Sequence, residues 1–481
     1  MLQSGSIFLF AMAYIAILFL VASYGDRRRK QATSGKQPSA PDRPVIYALS
    51  LAVYCTSWTF FGSVGLAASS GLEFLAIYIG PVLFVIAGHK LFKRIVRTAK
   101  AQRIASIADF IGARYGKNTS VAAVAASIAV IGTIPYIALQ LKAASSSLEY
   151  LVAQSSEAGT IGDISAFVAI AMAIFAVLFG TRHADATEHQ DGMMLAIAME
   201  SGVKLAAFLG LGLFVTYSMF GGFSDLLAAV EAKGIETSSV LSISSWPRFF
   251  LLICMSLGVF LLLPRIFHVA VVESYSEREL ERAMTLFPLY LVAINLFVVP
   301  IALAGLATFG NSVDGDIFVL ALPLIADEPV LAIVAFLGGL SAATAMVIVA
   351  TVALAIMISN DLVLPFLLRQ KKSREAVEAV APRDMVVRIL NVRRTSIFIV
   401  MFFAFIYYRS AGDTALAAIG LLSFAALLQV APTFFGGLFW RQATARGAIL
   451  GMTTGILVWG YTLLLPTLVA QGSSLLMDGP M

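Results

Sequence analysis

Tyr54-Cys55-Thr56-Ser57-Trp58-Thr59-Phe60-Phe61-Gly62 interrupts an otherwise apolar run from 43 to 69. Crossing the hydrocarbon of a bilayer takes roughly 20 residues, so this polar cluster, followed by Gly65, falls at mid-depth. A helix broken there frees peptide carbonyls and amides that hydrocarbon cannot satisfy, and they must line a protected cavity. A second run, 247–272, is interrupted by Ser256, Gly258 and Pro264. The two interrupted runs lie five apolar runs apart and cross in opposite directions, the arrangement expected of an inverted five-helix repeat. Glycine and proline are also common in ordinary membrane helices, so spacing alone leaves the repeat open.

The rest of the chain fits a membrane setting. Of 481 residues, 59% are hydrophobic and 13% charged, about half the roughly 25% charged of soluble domains. The mean hydropathy is +0.89. This excludes an ordinary soluble enzyme, a disordered chain and a secreted disulfide scaffold. A transmembrane barrel would alternate apolar and polar residues rather than run apolar. Cys55 and Cys254 lie in apolar stretches, and His89, His183, His189 and His268 show no ligand spacing. No metal site, cofactor site or nucleic-acid surface is read from these residues, and no nucleophile–base pair supports an enzyme.

Twelve spans are predicted: 5–24, 43–69, 72–94, 119–152, 163–181, 188–220, 247–272, 284–309, 329–364, 396–409, 413–437 and 445–470. The tenth is short, and its helix is expected to begin in the amphipathic stretch Arg383 to Arg394. With the N-terminus outside, 28 of the 33 Lys and Arg fall in inner loops, Arg265 among them. Positive charge is costly to translocate, so this asymmetry sets the expected orientation. The first run is followed, not preceded, by Arg27-Arg28-Arg29-Lys30, which favours a true span over a cleaved leader. The tail from Gln471 is then extracytoplasmic.

The motifs and their order carry a resemblance. Ser57-Trp58-Thr59-Phe60-Phe61-Gly62-Ser63-Val64-Gly65, Ala108-Asp109-Phe110 with Arg114-Tyr115-Gly116, Ile358-Ser359-Asn360-Asp361-Leu362, and Gln429-Val430-Ala431-Pro432 with Gly436-Gly437-Leu438-Phe439-Trp440 resemble the solute:sodium symporter family, the sodium/glucose and sodium/proline cotransporter group. Leu263-Pro264-Arg265-Ile266-Phe267-His268-Val269-Ala270-Val271-Val272-Glu273, Phe287-Pro288-Leu289-Tyr290, Tyr136-Ile137-Ala138-Leu139-Gln140 and Gly338 to Thr344 resemble, more narrowly, the transporter-like input module of certain bacterial sensor histidine kinases. The resemblance implies an all-α polytopic fold of the LeuT type, a 5+5 inverted repeat with flanking helices. Its divisions would be 1–42 (first helix and basic loop), 43–220 (first repeat), 221–437 (second repeat) and 438–481 (twelfth helix and tail). It implies a bacterial inner-membrane location, and a kinase partner in the same polypeptide beyond Met481. A thirteenth span, usual in the family, is missing, so the chain is expected to be the membrane part of something longer.

The same resemblance implies two sites. A sodium site would take the carbonyls of Ala52 and Cys55 from span two and that of Ala342 from span nine. Its two hydroxyl positions fall on Ala345 and Met346, which carry no side-chain oxygen; Thr344 and Ser341 lie close but need a one-residue shift. Sodium coupling is therefore in doubt, and proton coupling or none is at least as well supported. A solute cavity would be framed by Thr56, Ser57 and Trp58, by Tyr136 and Gln140, and by Ser256 and Phe260. Those groups suit a small polar solute, an amino acid or a short carboxylate, although each taken singly also reads as an interhelical packing residue.

Two residues stand out without any resemblance. Glu200 and Lys204 sit mid-span at i and i+4, on one helix face. Ionisable groups at this depth are functional suspects, and a buried structural ion pair is the plainer alternative. Lys142, farther out in span four, reads as snorkelling or as a contact for a solute carboxylate. The stretch Arg182 to Asp191 reads as an inner gate, a docking surface or a solvated loop. The sequence thus leads to a secondary transporter, or to a receptor that binds solute in the same cavity and signals to a kinase.

Overall fold

The computed structural model describes residues 4–31, 43–153, 163–180, 189–369, 382–412 and 414–469. Helices dominate the described residues, and the only β-type pairing among them is an isolated bridge between Gly71 and Ile243. Eight helices are long and apolar enough to cross a membrane, eleven if each of three bent pairs is one span; Ile164–Gly180 is a shorter apolar helix. Each of the twelve predicted stretches holds one of these elements. The chain is a multi-pass all-α membrane protein, as its apolar runs require: in hydrocarbon a helix satisfies its own backbone.

Span two is Pro44–Tyr54 followed by Trp58–Ser70, bent by 66°. Cys55 is extended at the break, with ψ 102°. Thr56 and Ser57 supply hydroxyls that compete with the helical ladder there: the Trp58 amide donates to Thr56 Oγ1 at 3.3 Å. Span seven is Trp246–Leu262 followed by Pro264–Val272, bent by 52°. Here the cause is Pro264, which lacks an N–H and pushes the preceding residue out of the helical region; Leu263 has ψ 118°.

The two broken spans lie side by side and antiparallel. Near the start of span two, Tyr47 Oη donates to the Ala270 carbonyl at the far end of span seven, 2.6 Å. At mid-length the rings of Tyr54 and Phe260 meet edge to face at 5.7 Å. At the other end the Leu72 amide donates to Ser242 O at 2.9 Å. Span nine, Pro329–Phe366, is the most enclosed helix. Gly338 and Gly339 admit the rings of Phe60 and Phe61 against its backbone, the small-residue packing that membrane helices rely on.

One boundary differs from the sequence reading and another matches its expectation. Span three ends at Ala87, and the chain turns by 76° at Gly88 into His89–Ala101. This second helix buries Phe92, Ile95, Val96 and Ala99 and carries its five Lys and Arg along the rest, so it is too polar to continue through hydrocarbon. Span ten begins at Pro382 and runs to Ser410, the early start expected from its amphipathic approach. The segment Arg182 to Glu188 and the tail from Gln471 lie outside the described residues.

One end of the molecule carries a basic loop and is latched by ions. Arg43, just before span two, pairs with Asp191 and lies 3.7 and 3.8 Å from the carboxylates of Glu273 and Glu279. Its guanidinium also stacks 4.5 Å from the Tyr275 ring centroid. Glu273 accepts from the Gln190 amide at 3.0 Å through both oxygens. The latch ties the starts of spans two, six and eight to the end of span seven.

Spans three and seven touch through Gly80, where an added Cβ would lie 2.1 Å from Ser256 Oγ and 2.4 Å from the Leu257 nitrogen. Gly80→Ala should therefore lower stability by about 1–3 kcal/mol, the usual cost of overpacking. At Gly202 a Cβ meets nothing within 4 Å, so Gly202→Ala should be neutral or stabilising by up to about 1 kcal/mol. Thermal denaturation of the two purified variants checks the contrast.

Candidate functional site

The break of span two, the facing stretch of span four and the break of span seven meet in the interior. Thr56 Oγ1 and Tyr136 Oη share a hydrogen bond of 3.0 Å. Ser57 donates to Gln140 Oε1 from its hydroxyl at 2.7 Å and from its amide at 3.2 Å. Gln140 Nε2 in turn donates to the Tyr136 carbonyl. Trp58 is buried, its ring 6.0 Å from that of Tyr78. Tyr136 is stacked on Phe424 at 5.6 Å, with the rings nearly parallel. Five of the seven residues expected to frame a solute site are thus brought together.

Ser256 and Phe260 are placed elsewhere. The Ser256 hydroxyl donates to the Ala76 carbonyl at 2.8 Å and to Ile253 O at 3.1 Å, which uses it up in the seam with span three. Phe260 packs among Tyr54, Phe84 and Phe287. Both lie before the break, on the half of span seven that faces spans three and eight, and counting along the sequence does not reveal that rotation.

The Cys55 carbonyl is freed by the break, whereas the Ala52 carbonyl keeps a backbone donor, the Cys55 amide at 3.0 Å, and one side chain reaches both oxygens. Lys204 Nζ donates to Ala52 O at 2.8 Å and to Cys55 O at 2.6 Å. Lys204 is almost fully buried. Ala342 and Ala345 are buried on span nine, but Thr344 turns to Glu200, donating to its Oε1 at 2.6 Å. Glu200 and Lys204 share a helix face, yet they are not hydrogen-bonded to each other. The ammonium goes to span two and the carboxylate to span nine, so the pair expected from i, i+4 spacing is divided between two neighbours. Glu200 Oε2 has no hydrogen-bond partner among the described residues.

Sequence counting missed Arg265. Placed in a loop by its charge, it is 1% exposed and belongs to span seven, one residue after Pro264. Its Cζ lies 4.2 Å from the Tyr136 ring centroid. Nε, Nη1 and Nη2 all lack a hydrogen-bond partner among the described residues. The available signal was its position directly after a helix-breaking proline in an apolar run.

At the end opposite the latch, a cavity of about 200 Å³ lies over Phe61, lined also by Lys142, Ser146, Asp314, Asp316 and Leu416. Lys142 Nζ donates to the carbonyls of Gly412 and Thr414 at 2.9 and 2.6 Å, a tie between span four and the loop before span eleven. Asp316 Oδ2 accepts from the Leu416 amide at 3.0 Å, which pins the start of span eleven. Burial, and then the charge of Asp314, push the Asp316 carboxyl up to about 6, against the opposing pull of the Leu416 amide and Lys142.

No family model matches the chain, and no curated protein matches it by sequence. Among solved structures, a Na+-coupled sialic acid symporter in a substrate-bound outward-open state aligns over 97% of this chain and 97% of its own, with a TM-score of 0.70 and 14% identity. Two structures of a manganese transporter from Eremococcus coleocola, one with an aromatic bis-isothiourea compound and one a point mutant, cover 90% and 89% of this chain and 96% and 93% of theirs. They have TM-scores of 0.42 and 0.40 and identities of 12% and 14%. The first likeness shows that the chain shares the fold of that symporter.

The raised Asp316 carboxyl favours the folded state when protonated, so its contribution is full below about pH 4 and is lost as pH rises through about 6. Asp316→Asn keeps an oxygen for the Leu416 amide without the charge. It should flatten this part of the stability–pH profile and raise both the stability at pH 7.5, by on the order of 3 kcal/mol at most, and with it the melting midpoint. Melting curves of both proteins from pH 4 to 8 check this; parallel profiles would show that Asp316 is ionised at no cost.

Proposed function

We propose that the protein is a secondary transporter that binds a small polar solute, an amino acid or a short carboxylate, at mid-membrane. Rocking of spans two, four, seven and nine would expose the solute alternately to each side. The observation that carries this is the meeting of two antiparallel broken helices around Thr56, Ser57, Tyr136 and Arg265. Broken helices at membrane depth persist only where they line a protected chamber, and transporters place solute and ion sites there. The sequence resemblance to the solute:sodium symporters and the shared fold support the same reading. The N-terminus lies outside, so the Arg43 latch closes the cytoplasmic end and the cavity over Phe61 lies on the outer approach.

Lys204 stands where the resemblance puts sodium. A hard cation such as sodium needs oxygen ligands. Two of the expected carbonyls already hold an ammonium, and the expected hydroxyl positions are Ala345 and Met346. The tethered ammonium supplies the positive charge between spans two and six, so at this position no free sodium is required.

The resemblance to sensor-kinase input modules extends the reading to signalling. The motif from Leu263 to Glu273 that carries it forms the inner half of span seven and ends in the latch, through Glu273. Movement of that half-helix is the event an attached kinase would read.

Purified protein in liposomes should accumulate tracer amino acid or short carboxylate from a panel of both. Replacing external sodium by choline should change the uptake rate less than twofold. Lys204→Ala, which leaves Cys55 O without a donor and Ala52 O with only the Cys55 amide, should reduce uptake at least tenfold, because unsatisfied buried groups are costly. A steep sodium dependence in the unmodified protein would overturn the role given to Lys204, and solute binding without uptake would favour the receptor.

A further inference from the structure

Arg265 is a buried cation with no carboxylate to pair with among the described residues. A guanidinium keeps its charge under all ordinary conditions and offers five N–H donors in a planar fork. Burying it without a partner is severely unfavourable. The Tyr136 ring attracts the cation, and its hydroxyl is near enough to interact with it, but a neutral phenol supplies no counter-charge and no N–H of the fork makes a well-formed hydrogen bond. The groups that act on it electrostatically are Tyr136, Tyr54 and Cys55, with no carboxylate among them, and Lys204 is close enough to feel its charge. Glu200, the one acidic residue of this region, is committed to Thr344 on span nine.

The charges around the breaks therefore do not balance. Lys204 and Arg265 are the two basic groups there, and Glu200 supplies at most one negative charge. Lys204 is satisfied by carbonyls, so the surplus rests on Arg265. From this, and resting on the reading of the chamber as a solute site, the geometry points to Arg265 as the anchor of an anionic solute. Its fork pairs with the carboxylate of a small organic acid of net charge −1, while Tyr136 holds the guanidinium from its other face. A zwitterionic amino acid would satisfy the fork but return a positive charge to the chamber. Of the two solute classes proposed above, this selects the short carboxylates. A carboxylate accepts two parallel N–H bonds from a guanidinium, and placing it there removes the penalty of the lone cation. Arg265 sits at the break of span seven, so the solute charge would be felt directly by the half-helix that ends in the latch.

The test uses the full chain, in detergent for binding and in liposomes for uptake, with propionate, pyruvate, succinate, proline, propionamide and inorganic phosphate as probes. Propionate or pyruvate should bind and raise the melting midpoint. Propionamide, the same shape without the charge, should bind at least about 100-fold more weakly, since a site built around a charged or hydrogen-bonding group rejects the analogue that lacks it. Arg265→Lys keeps the charge but not the fork, and should cost about tenfold in affinity. Arg265→Met should abolish carboxylate binding and, with no solute present, raise the melting midpoint, because it removes an uncompensated buried charge. A structural role for Arg265 predicts the reverse, a lowered midpoint. That result, equal binding of propionate and propionamide, or preferential binding of phosphate would overturn the proposal. Carboxylate binding without uptake would leave the anchor standing and sink the transport reading. Uptake of proline unaffected by Arg265→Met would do the opposite.

Discussion

Inside a bilayer a peptide carbonyl that leaves its helix must find a donor within the protein, and the Cys55 carbonyl finds its donor in Lys204, whose ammonium also reaches Ala52 O. Without that ammonium the break in span two would leave the Cys55 carbonyl unsatisfied in an apolar interior, at a cost of several kcal/mol, and would leave Ala52 O with only the Cys55 amide. With it, the break is stable, span six is held against span two, and Thr56 and Ser57 are presented to span four rather than wound into a helix. The contact fixes how the polar groups of spans two and four face each other.

Lys204 and Arg265 are both buried cations beside a helix break, yet they are satisfied in opposite ways. Lys204 has a compact ammonium that two carbonyls suit well. Arg265 has a broad fork that its surroundings leave open, with an aromatic ring on one side only. A single interior thus contains one cation that closes a structural gap and one that leaves a chemical demand. In the proposed cycle the first makes a diffusible cation unnecessary at this position, and the second makes the solute itself the missing counter-charge. The Arg43 latch lies at one end of span seven and the open fork at its break, so one half-helix connects them.

Much of this was legible in the sequence. Polar clusters and a proline at mid-depth located both breaks, because few other patterns put Thr56, Ser57 and Pro264 into apolar runs. The five residues that meet at the chamber were identified by type and motif. What escaped was rotation about the helix axis. The resemblance implies Ser256 and Phe260 as solute-site residues of span seven, yet the helix turns them toward spans three and eight, where Gly80 leaves room for the Ser256 hydroxyl. Glu200 and Lys204 were recognised as a buried pair, and their separation depends on which neighbours approach from either side, which a single helix does not encode.

Arg265 shows the limit most clearly. Orientation rules treat Lys and Arg as markers of the side to which a loop belongs, and by that count one more positive charge next to His268 and Glu273 only strengthened an inner loop. The rule rests on the cost of placing a charge in hydrocarbon. That cost takes another form when the charge points into the protein interior, where a counter-charge must offset it and the same residue becomes a functional suspect. Distinguishing the two requires knowing whether the helix continues past Pro264, and it does: Pro264–Val272 extends the span by nine residues beyond Leu263. A proline that breaks a span without ending it carries the next residue into the interior, so a cation in that position reports on the chamber rather than on the loop.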